Sequence, residues 1–109
     1  MTTTESEIGP IEILDNAEEQ RFEAHLDGRL LGVAEYEADD DRIVFVHTEV
    51  LPDAEGMGVG SALARGALDA TRSSGRRIVP ECPFITSYVR RHHEWDDVID
   101  WPERRPSGG

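Results

Sequence analysis

Apolar and polar residues alternate with period two through the first half of the chain, the spacing of half-buried strands. Phe22-Glu23-Ala24-His25-Leu26 shows it most cleanly, and Asp27-Gly28 behind it is a hairpin turn signal. Leu30 to Tyr36 reads as the returning strand, Glu37 to Asp41 as an acidic turn, and Arg42 to Val50 as the most β-prone run. Ile8 to Leu14, with Ile11 and Ile13 apolar, predicts a weaker strand before a turn over Asp15 to Gln20. The first half is therefore expected to form an antiparallel meander of four strands.

The pattern changes at Leu51-Pro52, where proline ends the strand and glycines follow at 56, 58 and 60. Val59 to Ser74 then reads as a helix, with Val59, Leu63 and Ala67 on one face. Its many small residues, Ala62, Ala64, Gly66 and Ala70 among them, suit close packing against a sheet. Gly75 stops it, and Arg72 and Arg76 sit near the negative end of its dipole. Arg77 to Pro80 predicts a short strand, and Phe84 to His92 a second helix. The expected fold is a compact mixed α/β (α+β) domain: a meander, a crossover helix, a short parallel strand and a final helix. Residues 1–7 read as a flexible leader, 8–101 as the domain, and 102–109 as a disordered tail.

Composition narrows the function. With 23 acidic against 11 basic residues the net charge is -12, and every basic residue is arginine. Such a surface repels phosphate backbones, which argues against nucleic acid and suits a small amine or a basic peptide. No apolar run has the length of a membrane helix, and the N-terminus lacks a secretory pattern, so a cytoplasmic protein is expected. One cysteine, Cys82, gives neither a disulfide framework nor a structural zinc site. His92 and His93 are adjacent, so on a helix they diverge and do not share a metal. No metal is expected, and the oligomeric state is not legible.

Alternate glycines just before a helix leave backbone N–H groups uncovered, beside the positive end of the helix dipole. An anion such as pyrophosphate can approach such a turn closely. A tight helix start is the plainer use of the same residues. No Lys-Ser/Thr follows, so the turn is not a P-loop, and the preceding antiparallel strands disfavour a dinucleotide fold.

The stretch Val50-Leu51-Pro52-Asp53-Ala54-Glu55-Gly56-Met57-Gly58-Val59-Gly60-Ser61-Ala62-Leu63 resembles the acetyl-CoA motif of the GNAT superfamily of N-acetyltransferases. Glu55 stands where that motif usually has Arg or Gln. With His47-Thr48-Glu49-Val50, Cys82-Pro83-Phe84 and Arg91-His92-His93-Glu94-Trp95, the chain is similar to the very small GNAT-like (YjdJ-type) family over residues 8–100. A glutamate before the first glycine is normal there; His92-His93-Glu94-Trp95 replaces the usual His-Pro-Glu-Tyr. The resemblance implies a trimmed GNAT fold that binds acetyl-CoA. The cofactor's pyrophosphate would sit at Glu55, Gly56, Met57, Gly58, Val59, Gly60 and Ser61. Its pantetheine arm would run between Val50 and Ile78-Val79, and its thioester would lie near Cys82.

Three residues are candidate catalysts. Cys82 follows the crossover strand, where an α/β cleft opens, and reads as a nucleophile or as a small buried hydrophobe. His47, near the end of the strongest strand, is a candidate base for an incoming amine or for Cys82, and Glu49 is a second one. Arg91, with Arg90, can fork onto an adenosine phosphate or simply complement a helix dipole, and Tyr88 is a candidate for lining the cleft. The expected activity is acetyl transfer from acetyl-CoA to an amine, by direct attack or through acetyl-Cys82. A CoA-binding sensor or interaction module without catalysis is the alternative.

Overall fold

The computed structural model describes residues 11–102. The expected leader and nearly all of the expected tail lie outside them. Strands β1 (Glu12–Asn16), β2 (Arg21–Leu26), β3 (Arg29–Ala38) and β4 (Arg42–Val50) come first. A 3-10 turn (Pro52–Ala54), helix α1 (Val59–Ser73), strand β5 (Arg77–Pro80), helix α2 (Pro83–Arg91) and a 3-10 segment (His93–Val98) follow. The sheet order is β1-β2-β3-β4-β5; the first four strands are antiparallel, and β5 runs parallel to β4. This is the expected meander, crossover helix and parallel strand.

Local chemistry explains the turns. Asp27 and Gly28 have φ of 53° and 81°, the pair of left-handed residues that a two-residue hairpin demands. Asp39 accepts backbone hydrogen bonds from Asp41 and Arg42 at 2.8 and 2.9 Å, closing the acidic turn and holding its carboxyl below the usual range. β1 runs two residues past its expected end. Asn16 pairs with Arg21 in the ladder, and its side-chain oxygen accepts from the Glu19 N–H at 3.2 Å.

Helix α1 buries Val59, Leu63 and Ala67, as their spacing predicts, together with Ala64, Leu68 and Thr71. It lies so close to the sheet that a Cβ on Gly66 would stand 2.7 Å from the Ile13 side chain. Phe22, Ala24, Ala34, Tyr36, Ile43 and Phe45 face it from the strands and form one core with Ile78, Ile85, Val89 and Trp95. Within that core the Tyr36 hydroxyl donates to Asp15 at 2.6 Å, and burial together with this bond pushes its pKa up to about 12.

The other sheet face is polar. Register places Arg21, Glu23, Val33, Glu35, His47 and Glu49 together on it. There Glu23 receives bonds from His25, Asn16 and Arg21, which hold its carboxyl down to about 2.

Two β-bulges alter which residues face the core. Leu31 is the extra residue of β3 against β2, and Val46 the extra residue of β4 against β3. Beyond Val46 the phase of β4 reverses: Thr48 and Val50 join the face of Phe45, while His47 and Glu49 turn to the polar face. Sequence periodicity also missed the last segment. His93–Val98 docks beside α1: Trp95 is fully buried, its Nε1 donates to Asp69 at 3.0 Å, and Arg72 reaches Asp97 at 3.0 Å. Ile99 then bridges to Ile78 in parallel sense. Among the described residues no helix is long and apolar enough to cross a membrane.

Candidate functional site

The site forms where β5 leaves β4. Their pairing stops at Phe45 opposite Pro80, and the N–H groups of Glu81 and Cys82 both close on the Phe45 carbonyl, at 3.0 and 2.8 Å. The chain then turns into α2, with Pro83 at its first position and therefore no N–H to satisfy. The last part of β4 runs on without that neighbour. Leu51 turns its N–H to Leu31 at 2.9 Å, and backbone groups alternate in direction along a strand, so the N–H groups of Thr48 and Val50 point into the opening.

At the end of β4 the 3-10 turn leads into the glycines. Gly56 and Gly58 have φ of 87° and 80°, a region that other residues enter only under strain. Gly58 caps α1 without any side-chain hydrogen bond, and the first intrahelical bond is donated by Ala62 to the Gly58 carbonyl at 3.1 Å. The N–H groups of Val59, Gly60 and Ser61 thus precede any intrahelical acceptor, and the first turn holds no acidic residue. They open onto a cavity of about 270 Å³, bounded by Val50 and Ala54, by Glu55, Gly56 and Gly58 of the turn, by Val59, Gly60 and Ser61, and by Phe84 across it. The lining joins the backbone donors and the acidic Glu55 of the turn to apolar groups of Val50, Ala54, Val59 and Phe84. The residues fit an anion joined to an uncharged arm.

Cys82 stands between β5 and α2, outside the residues that line the cavity. It is buried, and among the described residues its thiol hydrogen-bonds only Thr48 Oγ1, at 3.3 Å. His47 and Glu49 sit on the other side of the sheet, more than half exposed, with His47 Nε2 at 3.6 Å from Glu49 Oε1. Neighbours on a strand point to opposite faces, so the Thr48 that meets Cys82 and the His47 beside it are divided by the sheet itself.

Residues 21–98 match the family described as GCN5-related N-acetyl-transferase. The chain belongs to that family. An NMR solution structure of a GCN5-like protein from Staphylococcus aureus shares the fold, with a TM-score of 0.63 at 23% identity over 90% of this chain and 96% of that one. The crystal structure of Ard1 from Thermoplasma volcanium aligns over 54% of this chain and 40% of its own, at 22% identity and a TM-score of 0.46. No curated protein matches.

This GCN5-related domain brings together Val50, Glu55, Gly56, Gly58, Val59, Gly60 and Ser61 of the residues singled out from the sequence. Cys82, His47 and Glu49 do not line the cavity, and Met57, Tyr88 and Arg91 also stand apart from it. Met57 is 42% exposed on the turn, outside the lining. Tyr88 is packed into the core between Phe84, His92 and Trp95, because its position on α2 faces inward. Arg91, in the last turn of α2, bonds the Ser87 carbonyl at 3.4 Å. Sequence reasoning missed Ala54 and Phe84 as lining residues, although the Cys-Pro-Phe element carried the second. It also missed Gly32, where a Cβ would stand 2.8 Å from the Glu49 carbonyl oxygen and press on the end of β4.

Proposed function

We propose that this GCN5-related N-acetyltransferase binds acetyl-CoA in the cleft between β4, the glycine turn and α2, and passes the acetyl group to a cationic amine. The observation that carries the reading is the uncapped start of α1, with two left-handed glycines before it, opening onto the cavity beside the freed edge of β4. Pyrophosphate would be held by the N–H groups of Gly58, Val59, Gly60 and Ser61. Bound acetyl-CoA supplies a thioester carbonyl that an amine can attack. The chain's own part is to orient that group along the Thr48–Val50 edge, whose N–H groups are ready donors for a developing oxyanion. An acceptor amine would come from the polar face, where His47, with Glu49 beside it, takes the proton that frees the nitrogen lone pair. As the C–N bond forms and the C–S bond breaks, the second N–H proton leaves with the sulfur as the free CoA thiol. A net charge of -12 draws cationic amines and small basic peptides to the protein, and Glu23, Glu35 and Glu49 stand on that face.

The direct test has two readings. Acetyl-CoA at about 100 times its dissociation constant adds ~2.7 kcal/mol of stability, visible as a raised melting temperature. A mixture of amines then releases free CoA above the hydrolysis background. No thermal shift at millimolar acetyl-CoA in folded protein sinks the binding assignment. A shift without amine-dependent release makes the protein a CoA-binding sensor instead.

Direct transfer is preferred to an acetyl-Cys82 route. The buried thiol meets a hydroxyl rather than a base, and His47 lies across the sheet from it. Intact-protein mass spectrometry after incubation with acetyl-CoA alone is expected to show no added acetyl group on Cys82. Cys82→Ala is expected to keep turnover within about threefold of the parent, less than ~0.7 kcal/mol in the barrier. A hydroxylamine-labile adduct, lost together with activity in Cys82→Ala, would establish the cysteine route.

A further inference from the structure

Phe84 and Gly60 meet across the cleft, and the anion site, which uses only the N–H of Gly60, accounts neither for the ring nor for the missing side chain at position 60. Phe84 opens α2 beside its first residue, Pro83, and remains 36% exposed, which is unusual for a large apolar ring. It is braced from behind: its ring lies 6.5 Å from that of Tyr88 with 23° between their planes, and Tyr88 in turn lies 4.3 Å from His92. These residues recur at i, i+4, so one stripe of α2 carries an aromatic column that ends in the cavity. In front, the edge of the Phe84 ring rests on Gly60. A Cβ there would stand 2.8 Å from Phe84 Cζ and 3.3 Å from Cε1.

Gly60 differs from the other two glycines of the turn. Positive φ values occur at Gly56 and Gly58 and not at Gly60, which already belongs to α1. Its backbone conformation is open to any residue, and glycine is a poor helix former. What excludes a side chain is the ring above it.

We propose that Phe84 is the wall that holds the uncharged arm of the bound acyl carrier, and that Gly60 is a positioning residue whose bare backbone lets the ring stand there. The inference rests on the acetyl-CoA reading. The donors of the turn hold the anionic part of the ligand, and the apolar surfaces of Val50, Val59 and Phe84 receive the part without charge. A methyl group at position 60 pushes the ring aside. The ring is the end of a flexible side chain, so the fold survives while the wall is lost.

The experiment is calorimetric titration of the full chain with CoA and with 3′-phosphoadenosine 5′-diphosphate, which carries the pyrophosphate but not the arm. Phe84→Ala is expected to weaken CoA about tenfold and the fragment by less than about twofold. Gly60→Ala is expected to copy that pattern with a melting temperature equal to or above the parent's, because alanine suits a helix better. In the Phe84→Ala background, Gly60→Ala is expected to cost no further affinity, as for two residues acting through one contact. If the parent chain fails to bind CoA, the acetyl-CoA reading falls and this inference with it. If the parent binds CoA, three results overturn the wall alone: equal losses for the fragment, additive losses in the double variant, or unchanged affinity in Gly60→Ala.

Discussion

Gly58→Val is expected to lower CoA affinity at least about tenfold, a loss of ~1.4 kcal/mol or more, in a protein that keeps its circular dichroism spectrum. The reason is conformational before it is steric. Gly58 has φ of 80°, and a Cβ placed there meets nothing within 4 Å, so the first cost is backbone strain and not a clash at that atom. A β-branched residue nevertheless resists the left-handed region, at a cost of about 1–3 kcal/mol. The chain relieves that strain by re-forming the turn, which turns the N–H groups of Gly58 and Val59 away from the cavity. The new side chain also projects into the space over those donors. Gly58→Asn separates the two effects, because asparagine tolerates left-handed φ while still adding a side chain. If strain dominates, Asn recovers most of the lost affinity; if occlusion dominates, it does not. A folded Gly58→Val protein that binds CoA as the parent does means that the phosphate sits elsewhere.

Trp95→Ala is expected to cost about 3–5 kcal/mol, the range for removing a large buried aromatic side chain. Small domains have about 5–15 kcal/mol in total, so this one change removes much of the stability. Trp95 is 1% exposed, lies 6.0 Å from Tyr88, carries the Arg65 guanidinium 5.4 Å from its ring centroid, and bonds Asp69 through Nε1. It is the anchor by which the last 3-10 segment closes over α1 and α2. Trp95→Phe keeps most of the apolar contact and loses the bond to Asp69, so a smaller loss of about 1.5–3 kcal/mol is expected, the range for a bond to a charged group. Urea denaturation followed by circular dichroism gives both values, and an alanine variant within about 1 kcal/mol of the parent would show that the segment is not part of the cooperative core.

The position of Trp95 also bears on the site. Tyr88 is held between Trp95 and the aromatic pair Phe84 and His92, so loosening Trp95 loosens the column that ends in the cleft. The stability of the C-terminal segment and the shape of the cavity are thus linked through packed rings rather than through the backbone of β4.

Local chemistry carried the elements. The alternation of Phe22 to Leu26, the left-handed pair Asp27-Gly28, the β-branched run of β4 and the i, i+4 spacing of Val59, Leu63 and Ala67 each act within a few residues, so the amino-acid sequence by itself determined the strands, the crossover helix and the glycine turn. The family followed from the same stretch. Side-chain direction beyond a bulge was not local. Unbroken alternation would put His47 and Glu49 on the face of Phe45 with Cys82, but the extra residue Val46 turns them to the opposite face, because pairing with β3 absorbs one residue of β4. Tyr88 and Phe84 share a stripe of α2, yet one is buried and the other lines the cavity, since the 3-10 segment just after α2 folds Trp95 back over the first. Gly32 and Gly60 read as ordinary glycines until the Glu49 carbonyl and the Phe84 ring are seen against them. Tertiary structure alone decided these, because each depends on how separate elements pack against one another, and no spacing within the chain encodes where their atoms will stand.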